Sequence, residues 1–279
     1  MRYSVVTIHL DHIVPYRDLL VDLLGNNGPY ESFEETADGL KGYVPTEHFN
    51  PSFLTESFRH LGIADSARYE YEALPDKDWN EVWEREYQPV LVEDFCWVRA
   101  PFHPVRRDVE YDIVINPKMS FGTAHHATTY MMLSLLHKAE IAGRQVLDMG
   151  CGTAVLAILS AMRGAAHVDA VDIDEWAYRN ALENCKYNKV ESKVRCLLSD
   201  ASSLPENQYD IVLANINRNI LLSDMERYCQ AMRPGATLLL SGFYESDAPV
   251  LTDKAISLGL QPMGSVTRDG WMALQFSRI

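Results

Sequence analysis

Two aspartates, Asp148 and Asp172, close consecutive short apolar runs on either side of a glycine turn. The first run, Val146-Leu147, ends in Asp148. It is followed by Gly150-Cys151-Gly152 and then by TAVLAILSAMRG, whose apolar spacing is helical and stops at Gly164. The pattern is strand, glycine turn, helix. Small residues at 150 and 152 let a backbone approach a ligand closely, and the helix N-terminus is expected to offer free N–H groups. A dinucleotide would set its pyrophosphate there, against the carboxylate of Asp148. S-adenosylmethionine has no phosphate; its ammonium and sulfonium suit Asp148, directly or through water. The next run, HVDAVDID, ends in Asp172, an acceptor for two ribose hydroxyls. An acid at that point occurs in NAD and S-adenosylmethionine sites alike, so Asp148 discriminates and Asp172 does not. The plainer alternative is that Asp148 only caps the following turn.

A third polar group comes from DIVLANINRNI, where a strand would deliver Asn215 to the edge of the site. Its carbonyl oxygen can accept a hydrogen bond from an amine. In many methyltransferases acting on nitrogen a polar residue here is followed by two prolines. Asn215-Ile216-Asn217 has none, a departure from the glutamine and adenine methylases. Alternatively, Asn215 caps the helix that starts near 218. Upstream, NPKMSFGTAHHATTYMMLSLL places an aromatic, a small-residue turn (Phe121-Gly122-Thr123-Ala124), a His pair and Thr128-Thr129 ahead of a helix that would lie against the cofactor. His125 and His126 find no third ligand at metal-site spacing, so no metal is expected. His126 reads as helix-start packing and hydrogen bonding.

These residues need a sheet to hold them. After Pro117 strands and helices alternate: helix 126–140, strand 145–149, helix 153–163, strand 167–172, helix 175–188, strands 193–198 and 209–215, helix 218–232, strand 237–242, helix 248–258. That order predicts a parallel sheet with helices on both faces. Asp148, Asp172, Asp200 and Asn215 then fall at carboxyl ends of strands, where ligands bind such sheets. The Asp269-Gly270 turn predicts a closing hairpin with an antiparallel last strand. A parallel sheet finished this way is typical of S-adenosylmethionine-dependent methyltransferases and unusual for dinucleotide folds. VLVEDFCWVRAP and DVEYDIVIN read as short strands leading in. Residues 1–75 read as a separate small α/β unit in the order β-α-β-β-α-β, a ferredoxin-like order. The stretch around PYESFEE supplies one more of its strands. WNEVWEREYQPV reads as a connecting helix, giving units at 1–75, 76–90 and 91–279.

The 279 residues carry a net charge of −14 and 47% hydrophobic content. That is enough for a full core and argues against binding a nucleic-acid backbone. Residues 1–76 hold five Lys/Arg against thirteen Asp/Glu. A basic partner would be steered there; a solvated acidic surface is the other reading. No apolar run reaches transmembrane length, and His9, Asp11 and His12 interrupt the N-terminal apolar stretch, so neither a membrane span nor a signal peptide is expected. Five cysteines without a CxxC pair fit a reducing cytoplasm. Cys151 reads as a small buried residue rather than a reactive thiol.

The stretch FGTAHHATT resembles the F-G-T-G-x-H-x-T-T element of the PrmA family, the methyltransferases of ribosomal protein L11. LDMGCGTAVLAI, VDIDEWAYRNALENCKYN and VLANI are similar to that family too, and DWNEVWEREYQPV echoes its linker. The resemblance runs from about residue 78 to about 245, and the element order of the first 75 residues agrees with it. It implies a Rossmann-like class I methyltransferase sheet behind a small substrate-recognition domain. It also implies that Thr129, Gly150, Asp172 and Asn215 bind the cofactor and that Phe121, Gly122 and Thr123 form a loop over it. Asp148 and Gly152 join this set from the reading of the turn. The expected reaction moves methyl groups from S-adenosylmethionine to lysine ε-amines and the α-amine of a basic large-subunit ribosomal protein, with Asn215 positioning the amine. Ala124 and Ala154 replace family glycines, a change that stiffens the loop and shifts the turn by small amounts, and each needs a negative φ to be harmless. The competing readings are a methyltransferase for another protein or small molecule, an NAD-dependent oxidoreductase, and a binding protein without turnover.

Overall fold

Residues 3–26, 28–73, 87–118 and 120–279 are described by the computed structural model. Contacts divide the chain into two units, Met1–Glu86 and Tyr87–Ile279. The first unit runs β1 (Tyr3–Leu10), α1 (Tyr16–Asn26), β2 (Ser32–Thr36), β3 (Gly39–Pro45), α2 (Pro51–His60) and β4 (Ala67–Ala73). The strands pair antiparallel in the order β2-β3-β1-β4. The PYESFEE stretch does supply a strand, β2. Period-two alternation sends Val6, Ile8 and Leu10 of β1 to one face. There they meet Leu20 and Leu24 of α1 and Leu54 and Phe58 of α2 in one buried cluster. Asn50 starts α2 by accepting from the Ser52 and Phe53 amides, and Pro51 follows at the first helical position, where its missing N–H costs nothing. Of the connecting helix expected over 76–90, residues 76–86 lie outside the described residues, and 87–89 form no helix.

The second unit opens with β5 (Val90–Val92), β6 (Cys96–Arg99) and β7 (Tyr111–Val114). They form a sheet of their own, antiparallel between β5 and β6 and parallel between β6 and β7. Arg99 and Asp112 clamp its parallel pair with two side-chain hydrogen bonds of 2.7 and 3.1 Å.

The large sheet consists of β8 (Gln145–Met149), β9 (His167–Asp172), β10 (Val194–Leu198), β11 (Tyr209–Asn215), β12 (Met232–Tyr244), β13 (Leu260–Arg268) and β14 (Trp271–Arg278). Their order is β10-β9-β8-β11-β12-β14-β13. The first five run parallel, and β14 lies antiparallel between β12 and β13. Among the described residues five α-helices follow the last strand of the small sheet: α3 (Ala127–Lys138), α4 (Val155–Met162), α5 (Glu175–Tyr187), α6 (Arg218–Ala231) and α7 (Ala248–Ser257). α3, α4 and α5 cover the sheet face of Val146, Val168 and Leu213, while α6 and α7 cover that of Leu147, Val212 and Leu238. Consecutive residues of β8 thus serve opposite cores, as a strand buried on both faces must.

Asp169 ties three strands together. Buried on β9, it accepts from Arg195 of β10 at 2.8 and 2.9 Å and from the Tyr209 hydroxyl of β11 at 2.7 Å. Burial raises its carboxyl pKa, but the Arg195, Tyr209 and His167 hydrogen bonds outweigh that, and the group is held below the usual carboxylate range.

Candidate functional site

Parallel strands β8, β9 and β11 end side by side, so Asp148, Asp172 and Asn215 arrive at one edge of the sheet. The turn after β8 is made by Gly150 and Gly152, both at positive φ. A Cβ on Gly152 would stand 2.3 Å from the Phe121 carbonyl oxygen, and one on Gly150 would stand 2.3 Å from the Ile216 side chain. The glycines are needed for packing against two neighbouring segments of the protein as well as for the turn itself.

The amides of this turn, from Gly150 to Ala154, all donate within the protein. Gly150 and Cys151 donate to the Val171 carbonyl at 2.8 and 3.0 Å, Thr153 to Phe121 and Ala154 to Cys151. Gly152 donates to Asp172 Oδ2 at 2.9 Å. Ala154 has no side chain to cap α4, and Asp148 reaches across to accept from the Ala157 amide at 3.0 Å. Asp148 therefore does cap the helix that follows. Its carboxyl is only 1% exposed, and burial pushes its pKa up to about 8, with the Asp172 charge adding to the shift. Cys151, also buried, has its thiol raised well above the usual range by burial and by the neighbouring acids, which leaves it a packing residue.

Asp172 is half-buried. Its second oxygen, Oδ1, accepts from the Asp174 amide at 3.0 Å. Asn215 donates through Nδ2 to Thr129 Oγ1 at 3.3 Å, and its Oδ1 is buried with no hydrogen-bond partner. The helix cap at this corner is Asn217, whose side chain accepts from Asn219 and Ile220. Asn215 is thus free of the capping role, and a buried acceptor without a donor is costly unless something supplies one. Thr129 lies in the first turn of α3, which His126 caps from its ring Nδ1. Among the described residues no three His, Cys, Asp or Glu converge as a metal site would require.

The family model described as "Ribosomal protein L11 methyltransferase (PrmA)" matches residues 21–279. The chain belongs to the ribosomal protein L11 methyltransferase family. A relative of that name from Porphyromonas gingivalis is 44% identical over 99% of this chain and 98% of its own length. Another from Bacteroides fragilis is 42% identical over 93% of each. The fold is shared with a solved ribosomal protein L11 methylase from Lactobacillus delbrueckii subsp. bulgaricus, with a TM-score of 0.63 and 23% identity. The match covers 69% of this chain and 99% of that one.

Two departures from the pattern of the L11 methyltransferases resolve against expectation. Ala124 and Ala154 stand at φ 67° and 63°, so each alanine holds the left-handed conformation that glycine adopts freely. The negative φ that would make the replacement harmless is found at neither. Each methyl instead packs in the core, with Ala124 and Ala154 almost wholly buried, and that contact offsets a left-handed penalty of about 1–2 kcal/mol.

The loop Phe121-Gly122-Thr123 is joined to the glycine turn through Thr153, a residue the sequence reading passed over. Its amide donates to the Phe121 carbonyl at 2.9 Å and its hydroxyl to the Gly122 carbonyl at 2.6 Å. A second unread device lies on α5. Asn184 accepts from the Asn116 amide and donates to the Thr153 carbonyl, at 2.8 and 3.0 Å. Asn180 donates to the Asn116 carbonyl, and Asn188 makes hydrogen bonds to both backbone groups of Val114. Three asparagines four residues apart lie along one helix face. They grip the strand that leads into the loop, much as a neighbouring strand would. The i, i+4 spacing was visible in RNALENCKYN.

Proposed function

We propose that this methyltransferase uses S-adenosylmethionine to methylate lysine ε-amines and the α-amine of ribosomal protein L11. The observation that carries the cofactor reading is the turn after β8. A dinucleotide's pyrophosphate would need its amides, yet those from Gly150 to Ala154 donate within the protein, one of them to the Asp172 carboxylate beside the turn. Such a corner repels an anion and accepts a cation. When bound, S-adenosylmethionine supplies a methyl group on a positively charged sulfur. Asp172, through lone pairs its two amide bonds leave open, would hold the ribose hydroxyls. Thr129, Gly150 and Gly152 would line the cofactor, under a loop of Phe121, Gly122 and Thr123. The orphaned Oδ1 of Asn215 would accept from the substrate amine and orient its lone pair for in-line attack.

No base is nominated. A lysine near its reference pKa of about 10.4 loses its proton more easily when desolvated beside a positive charge. The N-terminal unit, read as ferredoxin-like, would hold the substrate by its acidic surface, which suits a basic partner. Among the described residues no helix is long and apolar enough to cross a membrane, and a cytoplasmic setting fits a ribosomal substrate. The test is calorimetry with isotope transfer. S-adenosylmethionine should bind, NAD should not, and labelled methyl should enter unmethylated L11. Asp172→Ala should weaken cofactor binding by about 1.5–3 kcal/mol. Tight NAD binding or an indifferent mutant would overturn the assignment.

A further inference from the structure

Four rings from separate segments form a continuous stripe beside this site. Phe121 lies edge-on to His126 (centroids 5.2 Å apart), His126 to Trp271 (4.5 Å), and Trp271 is tilted against Tyr244 (4.1 Å). The stripe therefore starts at the loop whose carbonyls bind Thr153 and ends where β12 leaves the sheet. Its inner rings are half-buried, while Phe121 and Tyr244 are each 54% exposed. Tyr244 pairs with Trp271 across the β12–β14 ladder, so its ring is held on one side and open on the other. Nothing in the core explains an aromatic there, and leaving one half in water forgoes much of its burial energy.

The surrounding charge indicates what the open face receives. Glu245 and Asp247 follow Tyr244 directly, and Asp269 sits in the turn ahead of Trp271. The nearby cations are engaged: Arg218 with Asp247 at 2.8 Å, and Arg268 with Asp269 at 3.5 Å and over the Tyr130 ring at 3.6 Å from its centroid. Tyr130 is one turn along α3 from His126, so one ring of this neighbourhood already carries a cation. The open ring of Tyr244 is the next such surface, and the three carboxylates around it outnumber the two arginines paired with them.

We propose that Tyr244, backed by Trp271, is a positioning residue for the substrate's alkylammonium and holds the amine in place through successive methyl transfers. The inference rests on the amine-methylating reading above. In each round the amine lone pair forms the new N–C bond as the methyl's bond to sulfur breaks and its electrons go to sulfur. The resulting ammonium must lose a proton to water before the next round. Every methyl removes an N–H that Asn215 could have engaged and adds apolar surface around the charge. A carbonyl acceptor holds such a group progressively less well, whereas an aromatic face holds it progressively better. Tyr244 and Asn215 thus serve opposite ends of the same series.

The test follows the methyl count on unmethylated L11 by intact mass spectrometry, for the wild-type protein and for Tyr244→Leu, Tyr244→Phe and Tyr244→Arg, with cofactor affinity and melting temperature measured in parallel. Tyr244→Leu should slow the last transfer relative to the first by about fivefold, the effect of one half-exposed ring–cation contact, and should accumulate partly methylated amines. Tyr244→Phe should restore the wild-type distribution. Tyr244→Arg, which places a like charge on the wall, should slow every transfer. All three should bind cofactor within about twofold of the wild type. Identical product distributions in all variants, or losses shared equally by the leucine and phenylalanine forms, would overturn the role of Tyr244 alone. A wild-type protein that puts no methyl on L11 would overturn the substrate reading, and this inference with it.

Discussion

Asp148 carries two duties that conflict. It caps α4 through the Ala157 amide and sits where burial raises its pKa to about 8, against an unfolded value near 3.9. The folded state therefore binds a proton that the unfolded chain releases above about pH 4. The stability tied to that proton is complete below pH 4, is lost progressively as pH rises, and is gone above about pH 8. Asp148→Asn keeps an oxygen for the Ala157 amide and removes the titration. Denaturant melts without ligand should show the mutant losing less stability than the wild type between pH 4 and 8, by a few kcal/mol. Equal slopes would mean that Asp148 does not titrate in this window. The two asparagines at the end of β11 separate just as cleanly. Asn217→Ala removes a helix cap and should cost about 1 kcal/mol of stability. Asn215→Ala should lower turnover more than cofactor affinity. If Asn215→Ala instead lowered only the melting temperature, its proposed hold on the amine would be wrong.

Strands β8, β9 and β11 fall where their apolar runs placed them, because a strand buried on both faces announces itself by composition. The start of α4 does not. The sequence reads as helical from 153, but Ala154 is left-handed and the helix begins at Val155; an alanine gives no local sign of positive φ. Replacing Ala154 by glycine should change stability by less than about 1 kcal/mol, since relief of strain and loss of a buried methyl oppose one another. Replacing it by valine adds β-branching to the same backbone and should cost about 2 kcal/mol or more. Chemical denaturation of the pair would check both, and a tolerated valine would argue against a left-handed residue at 154. β12 begins at Met232 and ends at Tyr244, beyond the 237–242 that alternation shows, because pairing with β11 and β14 extends it at both ends. The strands of the small sheet were legible, but their pairing into a sheet of their own and the asparagine grip of α5 were not, since both depend on which segments meet across many residues. Only the spacing of Asn180, Asn184 and Asn188 hinted at the grip. Asn184→Leu should free the Asn116 amide and the Thr153 carbonyl and so loosen the loop. Faster proteolysis between 116 and 126 would reveal it.

The division into Met1–Glu86 and Tyr87–Ile279 assigns every cofactor-lining candidate to the second unit, which contains both of its sheets complete. A fragment from residue 87 onward should fold and bind S-adenosylmethionine with nearly the affinity of the whole chain. It should fail to methylate L11, because the acidic surface that steers and orients a basic partner has gone. For the intact chain, affinity for L11 should fall with added salt, as charges are screened within roughly 10 Å at 0.1 M. A fragment that methylates L11 at the full rate would remove the first unit from substrate recognition.

The order of strands also bears on how the protein is made. β13 leaves the ribosome before β14, yet its place in the sheet is beyond β14, which is its only partner there. Until residue 278 has emerged, β13 has nothing to dock on and β12 presents an unpaired edge. Two features of β13 fit this wait. Leu260 is its only buried residue, and Met263 and Val266 are the only large apolar side chains among the rest, so little apolar surface waits for a partner. Pro262 and the irregular register between Pro262 and Gly264 interrupt the run of backbone donors that another nascent chain could pair with. A strand that must stand alone during synthesis has been given a sequence that attracts few partners until its own arrives.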